Sequence, residues 1–521
     1  MRVLLTTPPY DKNRFRLGES LGLKYLAAVL LQKGVEAYVL EPTLRDWDIE
    51  KTASFIIEKK IDFLGISVQF SRGLSNAVKV MEMVKKHTNP HISIGGHFAT
   101  FHYDELLESI AVLDSVVMYE GELTIVELLE KLYQPEYWHE ISGLAFRNKN
   151  GKVQKTTPRP LIQNLDTLPF PIRDETSGMA RDPHYSVISS RGCLLCCTFC
   201  SVPSFYNDPV GARWRVRSPE NVVDELEMLS RDYHATEISF LDDNFIGSNK
   251  AGRKRASLIA KEIIKRRLNL KWSIECRTDD VESGLLSELM NAGLSHINLG
   301  IESGSQDVLN NFKKLTTIDD NQQAIETIRS LGIGAYYHFI MFSANTTLEE
   351  IESSINFIQE CGIASFTVIS NRLDIYKGTA EYQKLSDEKR LIKQGYEYTF
   401  QFPDPKVELV YQAIHRSLIA LYDVELAIEK ASFHNDTRTS GYSPRNHFSW
   451  SSLKDNNKLH QLELRLSDKT SELLKQIIYF VRNNEKITKS GFSSFIAEIE
   501  KEAKLFSGEM LSNLVSTYSE I

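Results

Sequence analysis

At 521 residues the chain has the length of about three or four domains, each able to bury a core of its own. Its 42% hydrophobic and 25% charged residues are the proportions of an ordinary globular protein, and 61 basic against 69 acidic residues give −8, which offers no electrostatic case for nucleic-acid binding. The most apolar runs, such as YLAAVLL at 25–31, fall far short of the ~20 residues that span a bilayer, and the N-terminus lacks the apolar core and cleavage site of a signal peptide, so no membrane partner and a cytoplasmic, reducing location are expected.

From residue 1, strand-like and helical runs alternate. Residues 2–5 read as a short strand. Ser20 is placed to cap a helix whose Leu23, Leu26, Leu30 and Leu31 keep a helical period until Gly34 ends it. Further strand-like runs fall at 35–40, 62–67, 91–94 and 115–118, which predicts an open parallel α/β sheet. Ligands of such sheets bind beyond the carboxyl ends of the strands. Those ends carry Pro9-Tyr10, Ser67-Val68-Gln69, Gly95-Gly96-His97 and Glu120-Gly121-Glu122. Each motif alone is weak, and Gly95-Gly96 after a strand is more often a plain turn than a ligand contact. No G-x-G-x-x-G follows the first strand and no Walker-type sequence occurs, which disfavours a dinucleotide or P-loop site. Residues 136–183 are polar and proline-rich, and NLDTLPFPIRD at 164–174 reads as an extended connector.

The most specific stretch is VISSRGCLLCCTFCSVP at 187–203, where four of the six cysteines fall within eight positions. Cys193, Cys197 and Cys200 give C-x3-C-x2-C, with Phe199 before the last cysteine. Three thiolates on one short loop suit an iron–sulfur cluster and leave one iron of a [4Fe–4S] cube open. Counting Cys196 gives C-x2-C-C-x2-C, a possible zinc site, but zinc knuckles are spaced by roughly 12–20 residues. Disulfide frameworks belong to small secreted domains, not to a protein of this length. The loop resembles the cluster loop of the radical S-adenosylmethionine (SAM) superfamily.

Downstream, Ser218 is placed to cap a helix with Pro219 at its first position. Strand-like runs at 237–241, 271–275, 296–301, 334–341 and 365–369, with one at 186–189, make six βα repeats, a partial (β/α)6 TIM-type barrel whose chemistry sits at the carboxyl ends of the strands. By the resemblance, Phe199, Asp242, Asp243, Asn244, Arg277, Glu302 and Ser303 form the SAM-binding set: the aspartates near the methionine amino group, Arg277 as a carboxylate partner, Glu302 and Ser303 near nucleoside and carboxylate. Met341-Phe342-Ser343-Ala344-Asn345 stands where family members often show Gly-x-Pro. On the strand before it, Tyr336, Tyr337 and His338 can face a cavity, and Tyr337 and His338 are the substrate candidates.

The N-terminal motifs, taken together, resemble the cobalamin-binding domain that precedes many radical SAM enzymes: LGLKYLAAVL at 21–30 with Leu21 and Gly22, Ser67–Gln69, IGGHFAT at 94–100 and YEGELT at 119–124. The resemblance assigns cobalamin contacts to Pro9, Tyr10, Leu21, Gly22, Ser67, Val68, Gln69, Gly95, Gly96, His97, Glu120, Gly121 and Glu122. The D-x-H-x-x-G sequence that supplies a histidine to cobalt in mutase-type domains is missing, and His97 is the nearest strand-end histidine. No cysteine precedes residue 193, which sets the protein apart from methylthiotransferases. Cys276 and Cys361 are isolated, so a single cluster is expected.

From about 405 the pattern is helical. Val410, Ile414, Leu418 and Leu421 form one apolar face, Leu473, Ile477 and Val481 another, and Phe492, Phe495, Ile496 and Ile499 a third. The aperiodic stretch 434–450 offers His434, Arg438, Tyr442, Arg445 and His447 as further substrate candidates. The whole reads as an α/β protein with an N-terminal open parallel-sheet, Rossmann-like cobalamin domain (1–135), a linker (136–183), a radical SAM partial barrel (184–400) and a C-terminal helical domain (401–521). The resemblance implies an enzyme that carries a [4Fe–4S] cluster, SAM and cobalamin (as methylcobalamin). It would C-methylate a small biosynthetic intermediate through a 5′-deoxyadenosyl radical, with flavodoxin or ferredoxin as electron donor. The alternatives are a cobalamin-binding radical rearrangement, ring contraction or cyclisation without methyl transfer, and a metal or cobalamin sensor.

Overall fold

The structure is a computed structural model and describes residues 1–10, 18–173, 184–435, 457–484 and 486–518. Two parallel sheets dominate it. The first contains strands β1 (Arg2–Thr6), β2 (Glu36–Leu40), β3 (Phe63–Ser67), β4 (His91–Gly95), β5 (Ser115–Val117), β6 (Leu144–Arg147) and β7 (Val153–Lys155), in the order β2-β1-β3-β4-β5-β6-β7. β1 to β5 are mutually parallel. β6 pairs antiparallel with β5 and β7 antiparallel with β6, so the first part of the expected linker is built into this sheet. Apolar clusters cover both of its faces, one around Leu64, Ile92 and Ile94 and the other around Leu5, Phe63 and Leu128. Buried faces on both sides are what a parallel sheet with crossover helices requires. The first of those helices is Leu21–Gln32, and Gly34 closes its end at φ +74°.

The second sheet runs β8 (His184–Val187), β11 (Glu237–Phe240), β12 (Lys271–Arg277), β13 (Leu294–Glu302) and β14 (Gly334–Phe339), neighbours in sequence order and all parallel. Between its first two strands, β9 (Ser190–Arg191) and β10 (Arg215–Val216) pair antiparallel at the stem of the cysteine loop. The helix Pro219–Asp232 starts as its sequence predicts, with the Ser218 side chain accepting from the Asn221 amide at 3.2 Å.

The expected sixth strand at 365–369 is instead the helix Phe366–Ser370. Its β-branched sequence is overridden at its start. The Ser365 hydroxyl accepts from the Val368 amide (3.2 Å), and the buried Glu425 carboxylate accepts from the amides of Phe366 and Thr367 and from the Thr367 hydroxyl. Four donors at a helix N-terminus thereby find acceptors, which an edge strand would not provide. The sixth repeat contributes only the parallel bridge Phe342–Arg372. A hairpin of β15 (Leu391–Gln394) and β16 (Glu397–Phe400) follows. The C-terminal helices are Pro405–Ser417, Ala420–Asn435, Asn457–Asn483 and Lys489–Tyr518. The face expected from Val410 to Leu421 is divided between two of them, yet all four of its residues are fully buried. One apolar cluster runs unbroken from β8 through β14 into these helices, so they share the barrel domain's core rather than stand apart from it.

Candidate active site

The cysteine loop leaves the end of β9 and is held on two sides. On one, the Thr198 amide donates to the Phe312 carbonyl (3.0 Å), the Glu381 amide donates to the Thr198 carbonyl (3.0 Å), and Phe199 lies against Phe312 at 4.8 Å between ring centroids. On the other, the Gly192 amide donates to Asp243 (2.9 Å). Cys193, Cys197 and Cys200 are half-buried and within electrostatic reach of one another. Burial pushes all three thiols up, Cys200 to about 12, so binding iron would release their protons. Cys196 is exposed, and its sulfur accepts from Arg213 at 2.8 Å. The donor set fits a cluster held by three thiolates. Among the described residues no three His, Cys, Asp or Glu side chains converge on a point, as a mononuclear metal site needs. Thiolates on different irons of a cube stand further apart.

The residues expected around SAM separate into two groups. Asp243 reaches the cluster loop, and desolvation by its surroundings raises its carboxyl to about 6 although its side chain is exposed. Asp242 is committed within the protein: it accepts from the Ser189 amide (3.0 Å) and hydroxyl (2.7 Å) and from the Ser190 hydroxyl. Asn244 accepts from the Gly247 amide (3.1 Å) and donates to Ser248 (2.9 Å), fixing a turn. Arg277 donates to Asp279 at 2.8 Å and lies in reach of Cys193 and Cys197. Glu302 is paired with buried Lys314 at 2.7 Å, the second cation near Cys197 and one that no motif announces. Glu302 sits at φ +67°, in a register shift of β13, and its carbonyl accepts from the Ile340 amide at 2.7 Å. Strain of this kind, in a non-glycine residue, marks a position held by its surroundings. The hydroxyl of Ser303, its neighbour, accepts from the Ser305 amide at 3.1 Å.

Strand parity decides the substrate candidates. Ile274 and Cys276 pack outward against helices, whereas Ser273, Glu275 and Arg277 take the inner parity of β12. The register places Glu275 beside Asn298 and Asn298 beside Tyr336, with Arg277, Gly300 and His338 one level higher. His338 therefore faces the interior, with its ring edge-on to Tyr336 at 4.7 Å. Tyr337 does not. It belongs to the outer core and lies near Arg329, Cys361 and Glu463 of the surrounding helices. Tyr336 is the inward tyrosine that should replace it. Tyr442, Arg445 and His447, with Arg438 and the His434 side chain, fall outside the described residues.

At the carboxyl ends of the first sheet, Gly96 has φ +108°, and a Cβ there would lie 2.8 Å from the Val68 carbonyl, so only glycine joins these two loops. The Gln69 side-chain amide donates to the Ser67 hydroxyl (3.0 Å). Asn76 donates to the Pro9 carbonyl (2.8 Å), and the Tyr10 amide donates to Thr43 (3.0 Å). Leu21 is buried and Gly22 exposed at the start of the first helix. His97 stacks on Phe205 at 3.9 Å, and burial holds its imidazole down near 4 and neutral. Next to these loops, Phe70 is 52% exposed and Tyr376 is 40% exposed within reach of Arg72, Asp374 and Cys200. These loops, with apolar surface beside them, fit a large planar cofactor approached through backbone. Glu120 and Glu122 do not join that surface. Glu122 pairs with Arg191 at 2.6 Å. Glu120 pairs with Arg191 (3.1 Å) and Arg215 (2.8 Å) and accepts from the Ile162 amide (2.9 Å). Arg191 and Arg215 are register partners on β9 and β10, so the turn at Gly121 is bolted to the stem of the cysteine loop. A second buried network continues it: Glu19 with Lys24 (2.9 Å) and Arg173 (2.6 Å), and Glu225 with Arg173 (2.8 Å) and Arg217 (2.5 Å).

Such an arrangement, a parallel sheet delivering its strand ends to a three-cysteine loop on a second parallel sheet, defines a radical SAM enzyme with a cobalamin-binding domain. Residues 187–358 match the radical SAM superfamily, and residues 13–129 match the B12 binding domain. The protein thus carries a radical SAM domain and a B12 binding domain, and the cofactors that go with them are a [4Fe–4S] cluster, SAM and cobalamin. It is 29% identical over 442 residues to an uncharacterized methyltransferase of Pyrococcus horikoshii, covering 81% of this protein and 92% of that one. It is 27% identical over 381 residues to the anaerobic magnesium-protoporphyrin IX monomethyl ester cyclase of Rubrivivax gelatinosus, covering 69% of this protein and 66% of that one. In fold it is similar to the cobalamin-dependent SAM radical enzyme OxsB, with a TM-score of 0.80 at 18% identity, over 100% of this protein and 81% of that one.

Proposed function

We propose that this enzyme transfers a methyl group to an unactivated carbon of a small biosynthetic intermediate. Bound together, the cluster, SAM and cobalamin supply an electron, a 5′-deoxyadenosyl radical and a transferable methyl group, and the protein positions them and excludes water. Cys193, Cys197 and Cys200 would hold the cluster, which would supply the electron and a site for SAM. Asp243, poised at the Gly192 amide, receives the amino group, and Arg277 the carboxylate. Gly95-Gly96, Ser67–Gln69 and the Pro9-Tyr10 turn receive cobalamin, while Arg191, Glu120 and Glu122 fix the distance between the two cofactor sites. Flavodoxin or ferredoxin supplies the electron, and no described helix is long and apolar enough to cross a membrane. The observation that carries the reading is the direct bolting of the cobalamin-side turn to the cluster-loop stem through Arg191 at 2.6 and 3.1 Å. Two cofactors that exchange a group with one substrate need this fixed separation.

The similarity to the Rubrivivax cyclase supports a second reading, cyclisation or rearrangement without methyl transfer. Product analysis of the reconstituted, reduced enzyme with its substrate separates them. Methylated product with S-adenosylhomocysteine is expected. 5′-Deoxyadenosine without either would select the second reading, and none of these products with the true substrate present would select a sensor.

A further inference from the structure

Inside the barrel sheet, side chains form successive levels. The lower ones are hydrogen-bonded within the protein. His184 contacts Glu237 (3.3 Å) and Ser239 (2.9 Å), Ser239 contacts Ser273 (3.2 Å), and His296 lies over Gly334, where a Cβ would meet its ring at 2.3 Å. The highest contains Asp243, Arg277 and His338 and belongs to the cluster and SAM. Between them, the register aligns Glu275, Asn298 and Tyr336, and the ladder continues past β8 and β11 to Ile188 and Leu241, the Leu241 amide donating to the Val187 carbonyl at 2.9 Å.

This middle level is open at β11. Leu241 is 42% exposed although its strand lies inside the domain, and Glu275, Asn298 and Ile188 are all reached by water. It is also two-sided: aliphatic at β8 and β11, and carboxylate, amide and phenol at β12 to β14. Charge sharpens the reading. Glu302 has Lys314, Glu237 has His184 and Asp279 has Arg277, whereas Glu275 makes no side-chain hydrogen bond or ion pair among the described residues. Its charged neighbours, Asp243, Asp242 and Glu302, are all acids, and together with burial they raise its carboxyl to about 7. A carboxylate so placed gains most from a cation brought in by a ligand.

We infer that this middle level is where the substrate binds, and that Glu275 receives a protonated nitrogen of a substrate whose opposite side, against Ile188 and Leu241, is aliphatic or aromatic. The inference rests on the proposed enzymatic reading for its choice of substrate over any other ligand. The substrate class is thus a hydrophobic amine.

The test uses the holoenzyme with oxidised cluster, aquocobalamin and SAM, and three probes of matched shape: cyclohexylmethylamine, cyclohexylmethanol and cyclohexanecarboxylate, followed by ligand-observed NMR. The amine is expected to bind about tenfold more tightly than the alcohol, and the acid more weakly than either. Glu275→Gln is expected to abolish the preference while leaving SAM binding within about twofold. Equal binding of the three by the wild type, or binding of none, overturns the inference, and so does a preference that survives in E275Q. Loss of SAM binding in E275Q would overturn it too, by assigning the carboxylate to the cosubstrate. None of these readouts involves methyl transfer, so their failure leaves the proposed reaction standing, and failure of the product analysis leaves the binding preference standing.

Discussion

Replacing Arg191 with Met should separate the two cofactor sites without removing a ligand of either. Arg191 is half-buried between Glu122 at 2.6 Å and Glu120 at 3.1 Å. After the substitution Glu120 keeps Arg215 (2.8 Å) and the Ile162 amide (2.9 Å), but Glu122 has no second cation among the described residues. An uncompensated buried carboxylate costs about 3–5 kcal/mol. Glu122→Gln, which leaves the Arg191–Glu120 pair, should cost only about 1–3 kcal/mol. The double variant R191M/E122M removes both charges and fills the space with apolar atoms, so it should come back to within about 2 kcal/mol of wild type. Global unfolding of so large a protein is not two-state. The measurement is therefore the local opening free energy from amide hydrogen exchange at 118–122 and 189–193. The reconstituted variants provide a second readout. Iron and cobalamin contents should be retained in R191M, while the relaxation of cob(II)alamin by the reduced cluster becomes heterogeneous. A loss of protection below about 1 kcal/mol in R191M, or a double variant as unstable as the sum of the singles, would refute the clamp.

Three further outcomes follow from the geometry. Cys196→Ala should retain the iron of the wild type, whereas alanine at Cys193, Cys197 or Cys200 should abolish the cluster; equal iron loss in all four variants would revive a closed four-thiolate site. Gly96→Ala forces a Cβ to 2.8 Å from the Val68 carbonyl at φ +108° and should cost about 1–3 kcal/mol, weakening cobalamin retention on gel filtration while iron content is unchanged. Burial raises Glu425 from 4.5 to about 7 in the folded state. Between those pH values the folded protein binds more protons than the unfolded one, so this group makes stability fall as pH rises from about 4.5 to 7. Buried His97 and His296, lowered from 6.5 to about 4, act in the opposite sense, losing stability as pH falls through that window. The difference between wild type and Glu425→Gln isolates the carboxylate: the E425Q profile should lack the downward component, and parallel profiles would show that Glu425 is ionised throughout.

What the sequence discloses depends on how local each feature is. The cluster ligands are legible because three thiolates of one loop are specified by their own spacing. The first five strands of the N-terminal sheet are equally legible from alternating β-branched runs and capped helices. Tyr337 and Tyr336 are hard to tell apart because neighbouring residues of a strand differ only in which side they face, and that parity is fixed by what packs outside, here Arg329, Cys361 and the C-terminal helices. Parity alone, taken from Arg277 back to Glu275 and from His338 back to Tyr336, points to the two inward residues that the motifs do not announce. The run at 365–369 reads as a strand until Glu425, some sixty residues later, captures its amides. Glu120 and Glu122 mislead for a deeper reason. Two parallel sheets can share a reaction space only by facing the carboxyl ends of their strands toward each other, and strand ends are loops, which normally stay at the surface because water satisfies their polar groups. Bringing them together removes that water, and the backbone and charges must then satisfy one another. Tyr119 donates to Asp208 at 2.8 Å, the Ile162 amide donates to Glu120, and Arg191 with Arg215 neutralises the acids of the Gly121 turn. An acid at a strand end of a cofactor-binding sheet is thus ambiguous in sequence, since ligand and neighbouring domain ask for the same residue, and here the neighbouring domain has taken it.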